Sequence, residues 1–264
     1  MLRIAALTNT GKCRDVNEDA CSLWDHASEW LVLPDDEPVS ASAASAVLGV
    51  YDGTGSGGPR KSASHEVAAL IARHLAGGRP RTSGEYTARS LADVVELAGR
   101  EFWNAANGSP ATETSWRGMG TTATVVSLSD RSVSIAHVGD SRAYLFRNGT
   151  LTQLTRDDRL SSDLLDAGAM TLDEIAKFPH RSIITRAIGI REATEVAASR
   201  HALEAGDLLL LCTDGLTGLV DDATIVRCLT ADPDLEMVCR VLVAMAEHGG
   251  GHDNQTVALA AIEP

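Results

Sequence analysis

Three short apolar runs in this chain each stop at an aspartate: VLGVY before Asp52-Gly53, SIAHVG before Asp140, and LLLLCT before Asp214-Gly215. A fourth aspartate, Asp253, stands in HDN immediately before the run QTVALAAI. Runs of this length, bounded by turn residues, read as buried strands. One Asp-Gly pair is ordinary turn chemistry. Several together bring carboxylates to one edge of a sheet, where they repel one another unless a cation neutralises them. Ligands that are all oxygen select Mg²⁺ or Mn²⁺ rather than zinc, and a glycine after the aspartate lets a backbone carbonyl approach the same ion.

The rest of the pattern limits how those strands are assembled. Leu2 to Leu7 and residues 20–33 are strand-like, and the segment PDDEPVSASAASA (34–46) is small, polar and proline-containing, predicting an exposed, mobile hairpin tip. Two helices follow. Ser62 to Leu75 sets Val67, Leu70, Ile71, His74 and Leu75 on one face, and Glu85 to Ala106 repeats the pattern. The period then shortens to that of strands over Thr121–Leu128, Val133–Val138, Ala143–Arg147 and Leu151–Leu154, with Asn148-Gly149 as a hairpin turn. Residues 157–180 are polar and helix-turn-like. Further strands are predicted near Ile183–Ala187, Glu195–His201 and Asp207–Cys212, two amphipathic helices over Asp221–Leu229 and Leu235–His248, and a last strand over Gln255–Ile262. Strand runs with helices grouped between them predict an antiparallel α+β layered fold rather than alternating βαβ units. No repeat or linker divides the chain, so residues 1–264 are expected to form one domain.

Other chemistries fail on particular residues. Gly53 to Gly58 fits G-x-G-x-x-G, but Asp52 would oppose a pyrophosphate, and no acidic residue lies about 20 positions on to hold a ribose. Arg60 precedes Lys61 where a Walker loop needs glycine. His248 and His252 are separated by three glycines, so no helix sets them on one face as a zinc peptidase requires. The 23 basic and 36 acidic residues give a net charge of −13, which disfavours nucleic acid and anionic lipid as partners. Five cysteines without paired spacing read as free thiols in a reducing compartment. The N-terminus MLRIAALTNTGK lacks a signal-peptide core, and the longest apolar run, Leu208 to Cys212, is far below the ~20 residues that span a bilayer. The expectation is a soluble cytoplasmic protein.

In order, the chain carries TGKCRDVNEDA (10–20), GVYDGTGSGG (49–58), GMGTTATVV (118–126), AHVGDSRAYLFRNG (136–149), LTRDD (154–158), HRSIITRAIG (180–189), LLLCTDGL (209–216) and HDNQTV (252–257). This series resembles the metal-dependent protein serine/threonine phosphatases, the PPM or type 2C class, in their compact bacterial form, over nearly the whole chain. The resemblance implies an αββα sandwich of two central antiparallel sheets flanked by helices. It also implies two Mn²⁺ or Mg²⁺ ions, and hydrolysis of phosphoserine and phosphothreonine by direct attack of a metal-bridging hydroxide.

Carried over by residue, the resemblance makes Asp52 the bridging ligand, with the Gly53 carbonyl on one ion. Asp214 and Asp253 would hold one ion and Glu18 would complete the shell of the other. Arg14 would grip the substrate phosphate, which its planar fork suits. Asp140 would hold a third, weaker ion, while Asp19 and Asn254 would support the ligands from behind. The catalytic set is thus Arg14, Asp52 and Asp140, beside a flap over about 157–180. Thr54 stands where many eukaryotic relatives carry a histidine as candidate general acid, so water on a metal or on Asp140 must protonate the leaving oxygen. Cys212, beside the TDG motif, is expected to be a core thiol. The implied partners are phosphorylated proteins, a serine/threonine kinase or its substrates, met by a monomer in bacterial signalling. The opposing reading from another class is a scaffold that keeps the fold without the activity; intact Asp52, Asp214 and Asp253 speak against it.

Overall fold

The computed structural model describes residues 1–25, 31–54, 62–77, 86–108, 116–129 and 131–263. In chain order the first strands are β1 (Leu2–Asn9), β2 (Ala20–Asp25), β3 (Leu31–Val32), β4 (Val39–Ala43), β5 (Ala46–Tyr51) and the short β6 (Gly53–Thr54). Helices α1 (Ala63–Gly77) and α2 (Ala88–Asn107) follow, then β7 (Gly120–Thr121), β8 (Ala123–Leu128), β9 (Ser132–Val138), β10 (Arg142–Arg147) and β11 (Thr150–Gln153). The last third holds α3 (Leu160–Asp166), α4 (Leu172–Ala176), β12 (Ala197–Ala202), β13 (Leu208–Cys212), α5 (Asp214–Thr217), α6 (Asp222–Ala231), α7 (Leu235–His248) and β14 (Gln255–Ile262).

Two six-stranded sheets form, in the orders β11-β10-β13-β14-β1-β4 and β12-β9-β8-β5-β2-β3, with antiparallel pairing throughout. The alternation of side chains explains the layers. Along β1, Leu2, Ile4 and Ala6 enter the core between the sheets, while Ala5 and Leu7 face the other way, against α7. Along β13, Leu209 and Leu211 point between the sheets and Leu210 and Cys212 join the α7 side. On the second sheet, Val47 and Tyr51 of β5 meet Val67 and Ile71 of α1, while Leu48 and Val50 face the first sheet. Strands buried on both faces must be apolar at every position, hence the unbroken runs in the sequence. The result is the expected four-layer αββα sandwich.

Two expectations are corrected. Residues 39–43 are not a hairpin tip but the edge strand β4, paired with β1 in the register Leu2↔Ala43 to Ala6↔Val39. Val39, Ala41 and Ala43 pack toward the inter-sheet core and Ser40 and Ser42 are exposed. A period of two is present, but alanine and serine carry it, and small residues give a weak hydropathy contrast. The strand expected over Ile183–Ala187 does not form either. Ile184 and Ile188 make only isolated bridges, to Arg159 and Thr121. Helix α2 starts at Ala88 behind a Thr87 cap, within the predicted span. Asn148 and Gly149 both adopt positive φ, as the hairpin requires. The G-x-G-x-x-G stretch lies mostly outside the described residues; its first two residues form β6, paired with β7.

The segment expected to be a flap folds as α3 and α4, neither of which buries a side chain. It is tied down at its base. Asp158 N–H donates to the Gly139 carbonyl at 2.7 Å, Leu160 N–H to Ile183 at 2.8 Å, and Thr185 N–H to Asp158 at 2.7 Å.

Candidate metal centre

Both sheets deliver carboxylates to the same end. Asp52 follows β5 and Asp140 follows β9; Asp19 immediately precedes β2. From the other sheet, Asp214 opens α5 just beyond β13, and Asp253 precedes β14. One carboxylate oxygen each from Asp52, Asp140 and Asp214 lie within 4.8 Å of one another. Backbones also approach closely here, which explains two of the flanking glycines. A Cβ on Gly53 would stand 2.4 Å from the Glu18 carbonyl oxygen, and one on Gly215 would stand 1.8 Å from that of Asn254.

The electrostatics are those of an unneutralised acidic cluster. Burial, then the charges of Asp19, Asp214, Asp140 and Asp253, push the Asp52 carboxyl well above the usual carboxylate range. Among the described residues no donor reaches the Asp52 carboxylate; its backbone N–H donates to Thr122 Oγ1 at 2.9 Å. Asp19 is buried, and its Oδ2 accepts the hydroxyls of Thr213 and Thr256, both at 2.8 Å. Burial still pushes Asp19 up to about 7. Asp140 is 1% exposed and is pushed by burial up to about 6. Its Oδ2 accepts from Arg159, whereas its Oδ1 is buried with no hydrogen-bond partner among the described residues. An all-oxygen donor set, an orphaned carboxylate oxygen and an unpaired Asp52 together fit a hard divalent cation.

The remaining candidates form the rim. Arg14 is half-exposed and pairs with Asp253 at 2.8 Å, with Glu18 at 4.0 Å and the His252 carbonyl 3.4 Å from its Nε. Glu18 is raised, first by burial, with Arg14 opposing and Asp253 adding to the shift. Its carboxylate belongs with this rim rather than with the three clustered oxygens. Asn254 is the connector: its Oδ1 accepts the Glu18 N–H at 2.8 Å, and its Nδ2 donates to the carbonyls of Thr10 at 2.8 Å and Val16 at 3.1 Å. The Thr54 hydroxyl donates to the Gly120 carbonyl at 3.3 Å. Cys212 is buried in the sheet–helix core and its thiol is pushed up to about 12 by burial, as a core thiol should be. His137 is also packed, held by Thr124 and the Arg156 carbonyl, both at 2.9 Å.

Sequence reasoning missed three residues here. Thr213 and Thr256 hold Asp19; Thr213 is the first residue of the TDG motif and could have been suspected from it. Arg159 donates from Nε to Asp140 Oδ2 at 2.6 Å and from Nη2 to Asp214 Oδ2 at 2.9 Å. In the sequence it looks like any arginine after an acidic pair, and only the fold brings it to the cluster.

Comparison with known proteins agrees with this geometry. The sequence profile of the family described as Protein phosphatase 2C matches residues 11–164. The serine/threonine protein phosphatase PstP of Mycobacterium tuberculosis is 34% identical over 260 residues, 98% of this chain, and the chain spans 45% of that protein's length. A solved structure of the PstP catalytic domain in complex with two manganese ions superposes with a TM-score of 0.77 at 30% identity, covering 100% of both chains. The phosphatase Stp1 of Staphylococcus aureus superposes with a TM-score of 0.83 at 27% identity, covering 100% of this chain and 96% of that one. With a family profile across more than half of its length and a one-third identical relative along nearly all of it, the chain belongs to the protein phosphatase 2C family.

Proposed function

We propose that this chain is a metal-dependent protein phosphatase acting on phosphoserine and phosphothreonine, with two Mn²⁺ or Mg²⁺ ions held by Asp52, Gly53, Asp214, Asp253 and Glu18. The observation that carries the reading is Asp52, a desolvated carboxylate set against Asp140 and Asp214 within 4.8 Å and with no donor among the described residues. PstP, whose catalytic domain has been solved with two manganese ions, supports the choice of ion. When bound, such ions acidify water near neutral pH and neutralise charge on phosphoryl oxygens.

The chain's own residues do the rest. Arg14, half-exposed at the rim, presents a planar fork to the phosphate. Its pairing with Asp253 keeps it poised beside the ions. Asn254 fixes the Glu18 backbone, so Arg14 and Glu18 move as one loop with the β14 entrance. Asp19, behind Asp52, is held by two hydroxyls and supports the ligands from behind. Thr54 supplies no acid, because its hydroxyl is no more acidic than the serine or threonine alcohol that leaves; it donates to the Gly120 carbonyl at 3.3 Å.

We take residues 1–264 as one catalytic domain with α3–α4 as the flap, a monomer that meets phosphorylated proteins of a serine/threonine kinase system in the bacterial cytoplasm. No described helix is long and apolar enough to cross a membrane, and the net charge of −13 keeps nucleic acid away. The test is Mn²⁺-dependent phosphate release from a phosphothreonine peptide by wild type and Asp214→Asn. Loss of turnover in a folded variant supports the reading; unchanged turnover at Mn²⁺ levels that saturate wild type refutes it.

A further inference from the structure

Arg159 sits one residue before α3, and its backbone is fixed. It bridges Ile184, and its neighbours Asp158 and Leu160 donate to Gly139 and Ile183. From that base the side chain runs back into the acidic cluster, where it is only 19% exposed. Its Nε and Nη2 each take one oxygen, of Asp140 and of Asp214, at 2.6 and 2.9 Å. Those two carboxylates are also two of the three whose oxygens lie within 4.8 Å of one another. The guanidinium therefore stands on two thirds of that ligand set. The second Asp140 oxygen is buried with no partner among the described residues, so the arginine satisfies the cluster only in part.

We propose that Arg159 is a tethered cation that competes with a divalent ion for Asp140 and Asp214, so that an ion at Asp140 and the docked base of the flap exclude each other. The proposal rests on the cluster being a metal centre. A guanidinium and a dication drawn to the same two carboxylates repel one another at short range. By linkage the antagonism is reciprocal: the factor by which Arg159 weakens the ion is the factor by which the ion weakens the arginine's hold. Because Arg159 leads directly into α3, its withdrawal removes a side-chain anchor between the flap and the cluster. The helices beyond it bury no side chain; α3 is otherwise held by exposed contacts, Arg156 to Asp163 and Asp166 at 2.9 and 2.6 Å and the Ser161 hydroxyl to the Arg181 carbonyl at 2.7 Å.

The experiment is Mn²⁺ titration calorimetry on the full chain for wild type, Arg159→Ala, and Arg159→Ala combined with Asp140→Asn, with amide hydrogen exchange over 160–176. Arg159→Gln is carried alongside as a variant that keeps a donor but no charge. Removing the charge should tighten the weakest Mn²⁺ site by roughly tenfold or more, or add one equivalent, and Asp140→Asn should abolish that gain. In wild type, Mn²⁺ should speed exchange over 160–166; without Arg159 exchange should already be fast and insensitive to Mn²⁺. Unchanged or weaker Mn²⁺ binding in both Arg159 variants, with the tight ions still present, overturns the competition. Absence of any tight ion in wild type overturns the metal centre itself.

Discussion

Asn254→Asp tests the tie that Asn254 makes between β14 and the loop 10–18. The change keeps size and shape and preserves the acceptor that holds the Glu18 N–H at 2.8 Å. It replaces the amide donor, which now serves the Thr10 and Val16 carbonyls, with a second oxygen aimed at both. Leaving a buried acceptor unsatisfied costs about 1–3 kcal/mol. Both carbonyls belong to a partly exposed loop, where water replaces some of the loss, so about 1 kcal/mol each is the working value. The added charge faces Asp253 and Glu18, and the total is about 2–3 kcal/mol, well inside the stability of a domain of this size. A protonated carboxyl recovers one donor, so the new group's pKa is raised in the folded state. Its cost is therefore smallest at low pH and grows as pH rises through that pKa. Denaturant unfolding at pH 5.5 and 7.5 reads the stability, and Mn²⁺ calorimetry reads the slackened loop 10–18 through Glu18. Stability within about 0.5 kcal/mol of wild type at pH 7.5, a change typical of neutral surface sites, would refute the assignment of Asn254 as the tie between β14 and that loop.

Arg14→Ala should lower kcat/KM on a phosphopeptide by roughly ten- to a hundredfold, the worth of one charge-assisted contact. Mn²⁺ binding should hold or tighten, because Asp253 loses its competing partner; collapse of metal binding would make Arg14 structural instead. Metal-free protein should gain stability on acidification. Asp19, held at about 7 mainly by burial, and Asp140, held at about 6 by burial, take up protons in the folded state between about pH 4 and 7 that the unfolded chain does not. That stabilisation is fully present below the ordinary carboxylate range and is lost as pH rises through these values. Each such proton is worth about 1.4 kcal/mol per pH unit, so thermal unfolding at pH 5.5 should exceed that at pH 7 by several degrees. Saturating Mn²⁺ should remove the slope; a slope that survives Mn²⁺ would assign it to surface charge.

What was legible in the sequence is what alternation and strand length encode. The sheet strands β5, β8, β9, β13 and β14 are buried on both faces, so their apolar runs stand out, and the aspartates that end β5 and β13 are read with them. Strand β4 was missed because edge pairing is a backbone interaction, and serine and alanine satisfy it without a hydropathy signature. The stretch Ile183–Ala187 misled in the opposite sense. Its branched residues favour strand, but the chain there spends its hydrogen bonds pinning the flap base to Asp158 and Leu160. Arg159 was illegible for a further reason. Its partners lie 19 and 55 residues away, and no local pattern encodes a contact made by two strand ends and a flap.

The cluster also shows how a chain tolerates so many buried carboxylates before any ion arrives. Desolvating several acids together opposes folding, and each here except Asp52 has acquired a different remedy. Asp19 uses two hydroxyls, which cost no charge and leave it fixed in place. Asp253 uses Arg14, and Asp140 with Asp214 uses Arg159. Both arginines are borne by segments outside the sheets, the loop 10–18 and the base of the flap. The hydroxyl partners thus lie beneath the site, and the charged ones reach it from outside the sheets. On the proposed reading, a dication held by Asp253 would free the Arg14 fork for a phosphate, and one held by Asp140 would displace Arg159. Among the described residues Asp52 has no such partner, and its carboxylate lies with those of Asp140 and Asp214 where the two sheets' contributions meet. On the same reading, an ion held by Asp52 would displace no partner, whereas one taking Asp253 or Asp140 would have to displace an arginine.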